Sequence, residues 1–146
     1  YLAEQDVKRR SPGARALLLD EYGFVNETST ANVLGIARSH RAGTFGIPPR
    51  KRTLPGVSLA MVESLASRFL GAGAFDDVEL SPADFVAHMG EIVVTSTPFC
   101  MLPVVKLDDM SIGDGKPGPL FKKLLAAWSE EVGVDIAEQA RRFSKR

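Results

Sequence analysis

Cysteine is nearly absent. Cys100 is the only one in 146 residues, so neither a disulfide nor a cysteine-rich zinc site can form within one chain. That agrees with a reducing, cytoplasmic setting. Histidine is scarce as well: His40 and His88 lie far apart without ligand-spaced companions and are read as surface or structural residues. No apolar run approaches the roughly 20 residues of a membrane-spanning helix, so no membrane partner is expected. Neither charge is in excess, because 18 Lys and Arg balance 18 Asp and Glu. The balance argues against a general nucleic-acid binder. Lys116 sits in a Gly-Pro loop but lacks the glycine spacing of a P-loop. The first ten residues are polar and charged, unlike a secretory signal, and Tyr1 opens what reads as a sequence already in progress, expected to be part of a longer protein.

What is present describes a folded domain. Hydrophobic residues make up 45% and charged residues 25%, ordinary values for a globular chain of one domain's length. Residues 1–52 hold nine Lys and Arg against five Asp and Glu, and the remainder reverses the sign. A positive lobe would suit a phosphate ligand, although ordinary surface charge is the preferred reading. The chain reads as mixed α and β. A helix over 1–10 ends at Ser11-Pro12-Gly13, and Ala16–Leu19 and Phe24–Val25 read as strands about a tight turn. Strands are also predicted at 31–36 and 43–47, joined by a stretch with His40 and Arg41, then an extended loop at 48–52. The clearest helix starts near Val57, with Val57, Met61, Val62, Leu65, Ala66 and Phe69 on one face and Gly71 and Gly73 at its end. Further strands are expected at 78–80, 92–95 and 103–107. Ser81 and Pro82 start a helix; Leu120, Phe121, Leu124, Leu125 and Trp128 mark another, and 136–146 a last one with a basic tip.

Three segments carry candidate chemistry. In the first, Glu27 follows a hairpin strand, with Ser29 and Asn32 close behind; a carboxylate there could pair with a protonated ring nitrogen, or simply belong to a solvated turn. The second, Thr53-Leu54-Pro55-Gly56-Val57-Ser58, opens the strong helix. A helix N-terminus offers unpaired N–H groups and the positive end of its dipole, both suited to phosphate. Gly56 lets the backbone approach closely and the Ser58 hydroxyl can donate; a plain Pro-Gly turn would look the same. In the third, Val94-Thr95-Ser96-Thr97-Pro98-Phe99, a buried strand runs out into hydroxyls, at the kind of strand end where ligands bind.

In this order and spacing the segments resemble the class IV aminotransferases, also called fold-type IV pyridoxal-phosphate enzymes, which include branched-chain and D-amino-acid aminotransferases and aminodeoxychorismate lyase. The resemblance runs from residue 1 to about 128. Glu27, Ser29 and Asn32 meet one family motif, Leu54, Gly56 and Val57 a second, and Thr97 with Pro103-Val104 a third. It implies an α+β fold, a mixed sheet or pseudo-barrel of short strands with flanking helices, and a single domain over 1–146. That domain would be the C-terminal large domain, without the N-terminal small one. It implies pyridoxal 5'-phosphate as cofactor and amino-group transfer between an amino acid and a 2-oxo acid in a cytoplasmic homodimer. A lyase reaction, or a non-catalytic domain keeping the fold, stands as the alternative.

The implied roles follow. Glu27 binds the pyridine nitrogen, and Leu54 covers a ring face. Val57 and Ser58 N–H groups with the Thr97 hydroxyl hold the phosphate. Asn32 and Gly56 belong to the same cofactor set, and Tyr1 reaches the ring's phenolic oxygen. Pro98 and Phe99 border the substrate carboxylate. No catalytic residue is assigned within the chain, because the family's Schiff-base lysine is expected four or five residues before Tyr1. Lys8, the nearest lysine, belongs to a helix surface. Leu34, Ile47, Leu59 and Pro98 depart from the family pattern, and Pro98 has no N–H to offer a carboxylate.

Overall fold

The computed structural model describes residues 2–38, 44–71 and 73–144, with side chains through 142. The expected α+β class is what is found. Helix α1 (Leu2–Arg10) precedes the strands β1 (Leu17–Leu19), β2 (Val25–Thr28), β3 (Asn32–Ala37) and β4 (Phe45–Ile47). Helix α2 (Val57–Leu70), strand β5 (Phe75–Asp77) and helix α3 (Pro82–His88) follow, then β6 (Met89–Ser96) and β7 (Cys100–Val104). A small ribbon of β8 (Lys106–Leu107) and β9 (Met110–Ser111) leads to helices α4 (Pro119–Val132) and α5 (Ile136–Ser144).

Strand β3 organises the sheet. One edge pairs along its length with β6, from Asn32↔Thr95 to Ala37↔Met89. Its other edge is shared by β2, at Glu27↔Asn32, and by β4, at Gly35↔Gly46. All these pairings are antiparallel; β4 and β5 run parallel. Because side chains alternate across a strand, the apolar run in β6 is divided between two cores. Val93 joins Leu34 and Ile36 against Leu59, Val62 and Leu65 of α2 and Phe121, Leu124 and Trp128 of α4. Ile92 and Val94 join Val25 and Val33 against Phe85 and Val86 of α3. A sheet covered on both faces explains why Ile92-Val93-Val94 carries no polar alternation, and each such side chain contributes roughly 1.5–3 kcal/mol on burial.

Several details differ from the sequence reading. The 48–52 loop tightens into a 3-10 turn over Arg50–Arg52, closed by the Arg52 N–H on the Pro49 carbonyl at 2.8 Å. The strand expected at 78–80 lies earlier, at Phe75–Asp77, where Phe75 pairs with Phe45 and stacks on its ring at 4.5 Å. On α2 the buried stripe is Ser58, Leu59, Val62, Leu65 and Ala66, whereas Val57 and Phe69 are exposed. The 103–107 strand is split at Val105 between β7 and β8. Pro103 is tolerated because, among the described residues, β7 pairs only with β6 and forms a sheet edge. His40 and Arg41 lie outside the described residues.

Candidate functional site

A two-residue turn builds the site. Ser29 and Thr30 join β2 to β3, closed by the Thr28 N–H on the Ala31 carbonyl at 2.8 Å and the Thr28 hydroxyl on the same oxygen at 3.1 Å. Thr28 and Ala31 then oppose one another, and the next pair outward is Glu27 and Asn32. Cross-strand partners share a face, so Glu27, Asn32, Thr95 and Met101 form one row across four strands. That row faces the side on which α2 packs, since Met101 belongs to the α2–α4 core.

The segment entering α2 lies over this row. Glu27 Oε2 accepts from the Leu54 N–H at 3.2 Å, and Asn32 Nδ2 donates to the Leu54 carbonyl at 2.9 Å. Two residues on, Gly56 passes so close to Asn32 that a Cβ would overlap its side-chain oxygen. Gly56 is also the N-cap of α2, and no side chain caps the helix. The first helical bond runs from the Ala60 N–H to the Gly56 carbonyl at 3.0 Å, so the N–H groups of Val57, Ser58 and Leu59 are unspent by the helix. Ser58 is buried, while Leu54 and Val57 flank the turn at 72% and 79% exposure. Exposed apolar side chains therefore border a set of backbone donors that the helix does not use, and one carboxylate stands beside them.

The third segment reaches the same end of the sheet. Ser96 Oγ donates to the Thr30 carbonyl at 2.6 Å, joining the 97–99 turn to the 28–31 turn. Thr97 and Pro98 are exposed on that turn. Phe99 packs toward the α3-side core, with the Arg15 guanidinium 5.4 Å from its ring centre. Of the residues singled out in the sequence, Glu27, Asn32, Leu54, Gly56, Val57 and Ser58 are thus gathered at one corner, with Thr97 and Pro98 on the neighbouring turn. Tyr1 lies outside the described residues.

Some features had no clear signal in the sequence. Glu4 of α1 accepts from Ser29 Oγ at 2.7 Å and from the Ala16 N–H at 3.2 Å, tying the first helix to the turn after Glu27. The Ser29 hydroxyl holds its carboxyl below the usual range against the opposing effect of burial. Thr95 Oγ1 is buried beside Asn32 without a hydrogen-bond partner among the described residues. Arg52, in the expected loop at 48–52, meets Asp20 at 2.6 Å and Glu79 at 2.7 Å. A groove of about 700 Å³ lies on the opposite face of the sheet, lined by Thr28, Val33, Ile92 and Val94, and takes in none of Glu27, Asn32, Leu54 or Ser58. Partial burial pushes the Cys100 thiol pKa up, in keeping with an apolar packing role.

The family model for amino-transferase class IV matches residues 1–107. The chain belongs to the class IV aminotransferases. Branched-chain-amino-acid aminotransferase-like protein 1 of Arabidopsis thaliana is 32% identical over 128 residues, 84% of this chain and 21% of that protein. D-alanine aminotransferase of Bacillus licheniformis is 26% identical over 134 residues, 90% of this chain and 45% of the relative. The chain therefore spans about a fifth to under half of these relatives. Among solved structures, the branched-chain amino acid aminotransferase from Escherichia coli superposes with a TM-score of 0.74 at 23% identity, over 87% of this chain and 41% of that one. The enzyme from Thermobaculum terrenum, solved in its PLP-form, gives 0.77 at 21% identity over 90% and 41%. These two likenesses speak for the fold alone.

Proposed function

We propose that this chain is the cofactor-binding large domain of a pyridoxal-phosphate-dependent aminotransferase that moves an amino group between an amino acid and a 2-oxo acid. The observation that carries the proposal is the Leu54 peptide unit, held between Glu27 and Asn32 directly before an uncapped helix N-terminus. The residues present fit the cofactor at both its charged ends. Three N–H groups with a positive dipole end suit a phosphate, and Gly56 lets the turn that carries them lie close against Asn32. A carboxylate beside them suits a protonated pyridine nitrogen.

When bound, pyridoxal 5'-phosphate supplies an electron sink for the substrate's α-carbon. Glu27 accepts a hydrogen bond from the ring nitrogen and keeps it protonated. Leu54, largely exposed at present, packs against one ring face and sheds water there. The Val57 and Ser58 N–H groups and the Thr97 hydroxyl bind the phosphate. Tyr1 donates to the phenolic oxygen, and Pro98 and Phe99 border the substrate carboxylate. On this reading the lysine that holds the cofactor covalently lies four or five residues before Tyr1, after a small N-terminal domain, and the intact protein works as a cytoplasmic homodimer.

The departures from the family pattern bear on the non-catalytic alternative. Leu34, Ile47 and Leu59 are all buried in the α2–α4 core, so these changes are accounted for by packing. Pro98 stands at the site's edge, and Leu59 meets the site through its backbone N–H with its side chain in the core. The test is made on the full-length protein loaded with pyridoxal 5'-phosphate. Borohydride should bleach its near-visible absorbance and fix the cofactor to a lysine upstream of Tyr1. Protein that takes up no cofactor would overturn the proposal.

A further inference from the structure

Asn32 has both ends of its amide committed. Its nitrogen donates to the Leu54 carbonyl at 2.9 Å, and its oxygen lies directly beneath Gly56, where no Cβ could fit. The side chain is 7% exposed, so little of it is left to meet a ligand. Its strand partner Glu27 holds the N–H of the same residue, Leu54, at 3.2 Å. The two side chains therefore tie the segment between Arg52 and α2 to the sheet, one through each side of Leu54.

We infer that Asn32 is a positioning residue rather than a cofactor contact. It sets the height of the Leu54–Ser58 turn above the sheet, and with it the distance between the free N–H groups of α2 and the Glu27 carboxylate. The inference rests on the pyridoxal-phosphate reading given above. Its physical content is a division of labour. Glu27 is carried by β2 and keeps its place when Asn32 is shortened, whereas the phosphate-binding turn loses its support. Phosphate binding should then suffer while ring binding does not.

The full-length protein can separate these contributions through equilibrium binding of two probes, pyridoxal 5'-phosphate and pyridoxal, which lacks the phosphate. N32S should weaken the phosphorylated ligand by about tenfold, the scale of one lost hydrogen bond, and change pyridoxal binding by less than about twofold. G56A leaves the Asn32 amide intact but forces the turn away from it, and should give the same selective loss. In the double variant the serine makes room for the new methyl group, so the two effects should fall well short of additive. Parallel losses for both ligands in N32S would mean that Asn32 touches the ring, and would overturn the inference. So would additive losses, or no loss at all. If N32S does not fold, the selective loss in G56A decides the question alone. Wild-type protein that binds neither probe would instead sink the cofactor reading itself, an outcome distinct from the others.

Discussion

Glu91 of β6 lies beneath the start of α4 and receives two of its backbone N–H groups, Leu120 at 3.0 Å on Oε1 and Phe121 at 2.9 Å on Oε2. A Cβ at Gly118, the N-cap, would occupy the space of that carboxylate. The helix is thus capped from a strand 29 residues away rather than by a neighbour in sequence. It matters because α4 brings Phe121, Leu124 and Trp128 to the core behind the site.

E91A should therefore lower unfolding free energy by about 2 kcal/mol, the range for losing a charged cap with two bonds. G118A should cost at least as much, since its methyl group must displace the carboxylate. E91Q, which retains one acceptor oxygen, should fall between wild type and E91A. Chemical denaturation with unchanged m-values is the measurement. Equal stability of all four proteins would remove the cap from the account.

Thr95 supplies a test of opposite sign. The residue is 1% exposed and its hydroxyl has no hydrogen-bond partner among the described residues. Replacing a buried unsatisfied hydroxyl by a methyl of the same shape removes a desolvation cost. T95V should raise stability by about 1 kcal/mol in cofactor-free protein. A loss of similar size would mean that the hydroxyl is satisfied in solution, by a water between Thr95 and Asn32.

The basic run at 50–52 shows why charge patterns alone are a poor guide. Arg52 bridges Asp20 and Glu79 and lies 5.8 Å from the Tyr22 ring centre. It thus joins the β1–β2 turn to the segment before α3, just ahead of the Leu54–Ser58 turn. R52K keeps the charge but loses the planar fork, which matches two carboxylates at once. Thermal melts should rank wild type above R52K and R52K above R52A, with several degrees separating the ends. Identical midpoints would make the arrangement a surface contact of no consequence.

Acid should loosen the same corner. Burial raises the Asp20 pKa, but the Phe24 and Tyr22 N–H groups and Arg52 together outweigh it and leave the carboxyl below its ordinary value of 3.8. A carboxylate depressed in the folded state adds stability that is complete above its unfolded pKa and disappears as pH falls through the folded one. Glu4, depressed from 4.5 chiefly by Ser29, behaves likewise. Stability measured from neutral pH down past 3.8 should fall, and the fall should be shallower in D20N than in wild type. Parallel curves would rule Asp20 out as a contributor.

How much of the molecule is legible in its sequence depends on the range of the interaction. Ser81 as cap of α3 is readable because its partner, the Asp84 N–H at 3.2 Å, is three residues away. The 57–70 helix is readable from periodicity, although periodicity also puts Val57 on the buried face, where the structure leaves it exposed beside the buried Ser58 and Leu59. The corner proposed to hold the cofactor is legible only as an ordered set of motifs, since Glu27 and Leu54 meet across 27 residues. Glu91, Glu4 and Arg52 act at similar range and have no motif to reveal them. Their partners are chosen by the pairing of β3 with β6 and by the entry of α1, which no local pattern encodes.

Glu27 itself gives the sharpest functional prediction. Its carboxylate is asked to do two things: accept the Leu54 N–H, which is observed, and keep the pyridine nitrogen protonated, which is proposed. E27Q retains an oxygen for Leu54 and so leaves the turn in place, but a neutral amide no longer stabilises a positive ring. In the full-length enzyme, cofactor affinity should change by a few-fold at most. Amino-group transfer should drop on the order of a hundredfold, the usual scale for removing one preorganised electrostatic contact. E27A, which also frees Leu54, should lose both cofactor affinity and turnover. Single-turnover rates on saturated protein keep the two effects apart. Full turnover in E27Q would transfer the ring nitrogen to another partner and leave Glu27 with a structural task only.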